Sequence, residues 1–167
     1  MLTNSTDITI EEWKSQHARW SGLLALVSQL DQMDWFHFAA EWHASSHVLV
    51  ALRGSSILGF LRFVIQPIGP DMDCPAVQWK GEGLREAKVI AFGVLHQQRR
   101  QGIGRKLQEA LREWAQDLGC YQIRSHSSGD NLANHQLKLS LGYGVHPIVR
   151  GEDRRGVYFI LPLGRFE

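Results

Sequence analysis

Arg99-Arg100-Gln101-Gly102-Ile103-Gly104-Arg105 joins a nearly continuous apolar run, Lys88-Val89-Ile90-Ala91-Phe92-Gly93-Val94-Leu95, to a segment with a helical stripe. The run has the length and composition of a strand buried on both faces. The stripe, Ile103, Leu107, Ala110, Leu111, Trp114 and Leu118, predicts an amphipathic helix over about 103–118 with Gly119 as its stop. Between strand and helix, unpaired N–H groups and the positive end of the helix dipole make a place for a phosphate or pyrophosphate. Gly102 and Gly104 lack the Cβ atoms that would hold such a group away, and Arg99, Arg100 and Arg105 add charge. The spacing fits neither GxxxxGK[ST] nor GxGxxG, which sets aside the two better-known phosphate loops.

Outward from this turn the elements alternate. Downstream, a strand is expected near Tyr121–His126, a helix near Leu132–Leu141, and strands near Val145–Val149 and Val157–Leu163. Upstream, Val48–Leu52 and Ile57–Ile65 are rich in β-branched and aromatic residues and flank Arg53-Gly54-Ser55-Ser56, the pattern of a β-hairpin. The apolar residues from Trp13 to Leu30 predict a first helix over Ile10–Leu30, with Thr9 and Glu12 as a capping box. A second, short aromatic-rich helix is expected after Asp34 as cap. Between Gln66 and Glu86, prolines, glycines and acids without periodicity predict a long loop, either a contributor to a substrate mouth or a flexible connection. The fold class is mixed α/β, and the length suits a single domain over 1–167.

A formal net charge of +1 offers no broad electrostatic footprint for nucleic acid, so any cationic function is local. Cys74 and Cys120 lie far apart without metal-ligand spacing, so no metal site is expected. No segment approaches the roughly 20 apolar residues of a membrane span, and the first residues lack a signal-peptide pattern. A cytoplasmic protein is the expectation.

The turn resembles the R/Q-x-x-G-x-G/A signature of the GCN5-related N-acetyltransferases, with Arg99, Gly102 and Gly104 on its defining positions. A second stretch, Asn131-Leu132-Ala133-Asn134-His135-Gln136-Leu137-Lys138-Leu139-Ser140-Leu141-Gly142-Tyr143, resembles the same family's downstream segment, where an asparagine opens a helix ending in leucine, glycine and an aromatic residue. The likeness covers about residues 47–163 well and the preceding part loosely.

The resemblance implies a central mixed sheet with two splayed parallel strands, acetyl-CoA as cosubstrate and CoA as product. Phe92, Val94 and Leu95 would line the pantetheine arm, with a backbone N–H near Val94 or Leu95 as oxyanion donor. Arg99, Arg100, Gln101, Gly102, Ile103, Gly104 and Arg105 would wrap the pyrophosphate, and Asn131 and Asn134 would reach the pantetheine or adenosine.

The implied chemistry is attack of a neutral amine on the thioester, which needs positioning, a proton route and oxyanion stabilisation. Many relatives carry a tyrosine eight positions into the asparagine-led segment as acid for the departing thiolate, and this chain has Lys138 there. A lysine there would stabilise the thiolate by its charge, or donate a proton if burial depresses its pKa; the alternative is a solvent-facing or phosphate-facing lysine, with water protonating the product thiolate. His126 and Glu86 are the candidate bases. The expected acceptor is a small-molecule or peptide amine, with Asp71, Asp73 and Glu82 as charges that attract a cation. A homodimer is one option for assembly, and a catalytically silent acyl-CoA-binding module is the competing reading.

Overall fold

The computed structural model describes residues 7–147 and 156–164. Its elements in chain order are β1 (Ile8–Trp13), α1 (Trp20–Gln29), α2 (Met33–His37), β2 (Ser45–Arg53), β3 (Ser56–Pro67), β4 (Gln78–Trp79), β5 (Glu82–Gly83), β6 (Arg85–Val94), α3 (Ile103–Asp117), β7 (Gln122–Ser128), α4 (Leu132–Ser140), β8 (Gly144–Pro147) and β9 (Gly156–Pro162). Seven strands form one mixed sheet in the order β1-β2-β3-β6-β7-β9-β8, and β4 pairs separately with β5. The β6–β7 pair is parallel, whereas β1–β2, β7–β9 and β8–β9 are antiparallel.

The residues cluster into two compact units. The first holds the chain up to Ala39 together with Ser46–Phe63 and Ile90–Leu111. Its core joins Trp13, Leu23, Val27, Phe36, Val50, Phe60 and Ala91, all buried. Here the chain departs from the sequence expectation, because Ile8–Trp13 is a strand and the helix begins only at Trp20. Ile8 and Ile10 alternate with Thr9 and Glu11, and this period of two wins once β2 offers a partner in the register Ile8↔Arg53 to Trp13↔Val48. Thr9 and Glu12 therefore lie in a strand, and α1 starts behind Arg19 without a side-chain cap. Asp34 likewise sits in the first turn of α2, whose cap residue is Gln32.

The second unit holds Ala40–Ser45, Val64–Val89 and the chain from Arg112 onward. The β6–β7 register runs from Glu86↔Gln122 to Val89↔Ser125, and β7 continues along β9 from Gln122↔Pro162 to Ser128↔Gly156. The 66–86 segment is more ordered than expected. It contains a 3-10 turn at Pro70–Met72 and the β4–β5 hairpin, closed by Lys80 and Gly81 at φ 49° and 82°. Two consecutive positive φ values make the two-residue turn that matches strand twist. Gly119, at φ 76°, ends α3 as expected. The last expected strands appear as β8 and β9, with Ile148 and Val149 outside the described residues. Among the described residues no helix is long and apolar enough to cross a membrane.

Candidate active site

In the first unit, β6 ends against β3. The Leu95 N–H donates to the Leu58 carbonyl at 2.9 Å, and a Cβ added to Gly59 would stand 2.8 Å from the Gly93 carbonyl oxygen. Gly93 and Leu95 thus turn their polar backbone groups toward β3. Strand alternation turns those of Phe92 and Val94 to the opposite edge. Of the two N–H groups considered as oxyanion donors, that of Leu95 is committed to Leu58, which leaves Val94.

The chain then passes through a 3-10 turn at His96–Gln98 into the arginine–glycine stretch. Arg100 adopts φ 65° and Gly102 φ 77°. A left-handed arginine is costly for an L residue, and such alternation of backbone hands makes a concave run of N–H groups that suits an anion. The Gly102 carbonyl accepts the first helical bond, from Lys106 N–H at 3.0 Å. Ile103, Gly104 and Arg105 therefore head α3 with N–H groups that have no acceptor within the helix. A Cβ built on Gly102 meets nothing within 4 Å, so the space in front of the turn is open.

Side chains hold this turn from behind. The Arg53 guanidinium donates to Gln98 Oε1 at 3.1 Å and to Gln101 Oε1 at 2.8 Å, and Arg99 Nε reaches the Val94 carbonyl at 3.5 Å. Gln101 thereby contributes its side chain to the scaffold. Arg99, Arg100 and Arg105 are exposed. Donors, cations and open space fit a diphosphate.

In the second unit, β7 presents different chemistry on its two faces. On one face Arg124 donates through Nε and Nη2 to Glu86, at 2.8 Å for the shortest contact, and through Nη2 to Asp71. Gln66 and Gln122 complete the Glu86 carboxylate at 2.9 and 2.8 Å, and Lys88 reaches Asp71 at 2.8 Å. Burial of Asp71 opposes its ionisation, but Lys88 and Arg124 outweigh it and hold the carboxyl below its ordinary range. For Arg124, burial works against the charge and the two carboxylates overcome it, so its pKa is raised. His126 lies on the same face, exposed, opposite Tyr158 and in edge contact with its ring at 5.6 Å. The Arg124 guanidinium stacks over that same ring at 4.7 Å.

The opposite face of β7 receives α4. Asn131 caps the helix by accepting from the Asn134 N–H at 3.3 Å, and Asn134 Nδ2 donates to Ser127 Oγ at 3.0 Å. One turn later Lys138 Nζ donates to Ser125 Oγ. Lys138 is 1% exposed and no acid pairs with it among the described residues. Desolvation pushes its pKa down to about 7. The solvent-facing alternative for this lysine is therefore corrected: it is a core amine.

The structure thus brings Glu86 and His126 to one face of β7 and places Lys138 on the other. Sequence reasoning missed Arg124, Gln66 and Gln122, which fix Glu86, and Ser125, the partner of Lys138. Their one signal is strand parity, which puts Gln122 and Arg124 on one side and Ser125 and Ser127 on the other. Asp71, expected as an attractant for a cation, spends its charge inside the fold.

The model of the acetyltransferase (GNAT) family matches residues 10–143. The chain belongs to this family. Its fold is shared by the ribosomal-protein-S18-alanine N-acetyltransferase of Escherichia coli, at 17% identity and TM-score 0.64, covering 96% of this chain and 97% of that one. It is also shared by NAA60 of Arabidopsis thaliana with acetyl-CoA, at 13% identity and TM-score 0.66, covering 92% and 96%. An acetyltransferase of Bacillus subtilis solved with CoA matches at 16% identity and TM-score 0.61, covering 94% and 99%. Comparison with curated proteins gave no match. At these identities the likeness establishes the mixed α/β acyltransferase fold.

Proposed function

We propose that this GNAT protein transfers the acetyl group of acetyl-CoA to the neutral primary amine of a small molecule or peptide. The observation that carries the reading is the turn from Arg99 to Gly102, with two left-handed residues feeding the donor-rich start of α3. Solved relatives holding acetyl-CoA or CoA support the choice of cosubstrate.

Acetyl-CoA supplies the activated acyl group, and the chain's residues do the rest. The backbone from Arg99 to Arg105 and its exposed guanidiniums hold the diphosphate. Phe92 and Val94 pair with the pantetheine amides, and the Val94 N–H faces the charge that develops on the carbonyl oxygen, where one such donor is worth about 3 kcal/mol. Asn131 and Asn134 are proposed contacts for the pantetheine or adenosine; Asn131 Oδ1 already accepts from the Asn134 N–H, and Asn134 Nδ2 donates to Ser127 on β7.

Among the candidate bases, Glu86 carries hydrogen bonds on both carboxylate oxygens and is better suited to hold Arg124 than to exchange a proton. His126 is exposed, with its imidazole in edge contact with Tyr158, and is the preferred base. Incubation with acetyl-CoA and amines such as spermidine, benzylamine and a tetrapeptide amide tests the reading through release of free thiol. Release above the buffer rate with at least one amine supports it. Tight binding of acetyl-CoA without release would favour the silent module, a reading motivated by Lys138 in place of the usual tyrosine.

A further inference from the structure

The second unit holds an open cavity of about 670 Å³, within the usual range of small-molecule sites. Its walls come from the β4–β5 hairpin, the start of β6, the turn that follows α3, and Leu163 with Gly164. Backbone bonds tie these segments together. The Tyr121 N–H donates to the Arg85 carbonyl at 2.8 Å, and the Tyr121 carbonyl accepts from Leu163 and Gly164 at 2.6 and 2.9 Å. The Leu84 N–H closes the hairpin on the Val77 carbonyl at 2.8 Å. None of the residues proposed for acetyl transfer lines this space.

The lining combines an aromatic face with cations. Trp79 is 48% exposed on a hairpin of two residue pairs, so its ring contributes little burial to the fold. Lys80 Nζ lies 5.7 Å from the centroid of that ring. Arg85 is exposed and spends Nη2 on the Leu118 carbonyl behind α3, at 2.8 Å. Among the described residues its other side-chain donors have no partner, and neither Lys80 nor Glu82 enters an ion pair. Burial pushes the Cys120 thiol up to about 11, so it lines the wall as a neutral group.

Charge and span select the ligand. Among the described lining residues two cations stand against one acid, Glu82, and the carbonyl end of α3 adds partial negative charge. That balance suits a monoanion better than a dianion. A carboxylate also matches the planar fork of Arg85. Arg85 follows Glu82, the register partner of Trp79, by three residues, which is on the order of 10 Å of extended chain. A two-ring acid covers that span and lays its flat face on an indole.

We propose that this cavity is a binding site for a bicyclic aromatic carboxylate, with the carboxylate on Arg85 and Lys80 and the rings on Trp79. The proposal does not depend on the acetyl-CoA reading. Glu82, expected from the sequence to attract a cation, here limits the negative charge that the cavity accepts.

The test titrates the full chain by calorimetry with 2-naphthoate, naphthalene-2-carboxamide, cyclohexanecarboxylate and AMP. 2-Naphthoate should bind one site per chain with a Kd of about 1 mM or tighter. The uncharged amide, the acid without aromatic rings and the dianionic phosphate of AMP should each bind about tenfold more weakly or worse. Affinity for 2-naphthoate should fall about tenfold in Arg85→Gln and about fivefold in Trp79→Leu. Glu82→Gln removes the like charge and should tighten binding about two- to threefold, a gain that a structural role would not produce. Arg85→Gln also gives up a bond to the end of α3, so thermal melts accompany each titration. Trp79→Leu changes an exposed side chain and carries the test alone if Arg85→Gln does not fold. Saturating 2-naphthoate should raise the Tm of the wild type and not that of Trp79→Leu.

Neither heat nor a Tm shift at about ten times the expected Kd would overturn the proposal. Equal affinity for the amide or for AMP would overturn the ligand class, and wild-type affinity in folded Trp79→Leu would overturn the placement of the rings.

Discussion

Arg124 reaches diagonally across the parallel β6–β7 pair to Glu86, and the guanidinium uses both Nε and Nη2 on one carboxylate. Both are buried, and the amides of Gln66 and Gln122 occupy the remaining carboxylate positions. A charge held this way is expensive to orphan. Glu86→Ala should lower stability by about 3–5 kcal/mol by leaving Arg124 without its main counter-charge. Chemical denaturation of Glu86→Ala, Arg124→Met and the double variant checks it, with the double variant expected to lose less than the sum of the two.

Asp71 adds an acid-sensitive part to the same network. Its folded pKa is lowered, so its contribution is fully present above the ordinary carboxylate range and is lost as pH falls through the depressed folded value. Asp71→Asn should therefore be less stable than wild type at neutral pH, with the gap closing toward strongly acid pH. Thermal melts over an acid pH series read this out.

Lys138 predicts a slope of opposite origin. Its folded pKa, about 7, lies below the unfolded value, so between the two the unfolded chain binds the extra proton and stability rises with pH. Lys138→Met removes a desolvation cost on the order of a few kcal/mol that is fully felt below pH 7. The variant should melt higher than wild type near pH 6 and lose that advantage by about pH 10. A wild type and variant whose melting curves track each other across this range would show that burial does not depress the lysine.

Two residues of the turn should trade stability against affinity. Arg100→Gly relieves a left-handed arginine, which is worth about 1 kcal/mol, and removes a cation from the cradle. It should melt slightly higher and bind CoA several-fold more weakly. Gly102→Val meets no neighbour in the fold but fills the open space before α3 and is strained at φ 77°, so it should melt lower and lose CoA affinity by tenfold or more, about 1.4 kcal/mol. Calorimetric titration with CoA beside thermal melts separates the two effects.

Gly59 is a purely steric case. Its added Cβ would stand 2.8 Å from the Gly93 carbonyl oxygen and 3.2 Å from Val94 Cα, both backbone atoms that cannot swing away. Gly59→Ala should cost about 1–3 kcal/mol by pushing β3 off the end of β6. Because the displaced strand end carries the Val94 N–H, turnover should fall more than CoA affinity.

Local patterns were legible where one period or one residue type dominates. The strand–turn–helix around Gly102, the hairpin across Gly54 and the stop at Gly119 all follow from runs of apolar residues and glycine punctuation. The entry to the chain was not, because the apolar residues from Ile8 to Trp13 suit a helix face as well as a strand until β2 supplies a partner. The turn proposed to hold the diphosphate could be singled out because its chemistry is carried by consecutive backbone groups. The polar network was hidden, since Asp71, Glu86 and Arg124 meet through three separate segments whose distances no local spacing encodes. Lys138 could be singled out by its position, but its burial depends on Ser125 and Tyr143, which pack on it only in the folded chain.

Asp71 anchors one end of the 66–86 segment, whereas its far end is a tight hairpin whose tip, Lys80 and Gly81, is exposed and pairs only Gln78 with Gly83 and Trp79 with Glu82. Added length is best tolerated where few buried groups depend on the backbone. A reporter peptide, an affinity handle or a fluorophore spliced between those two residues would leave the anchored acid in place, giving this acetyltransferase an attachment point for engineering.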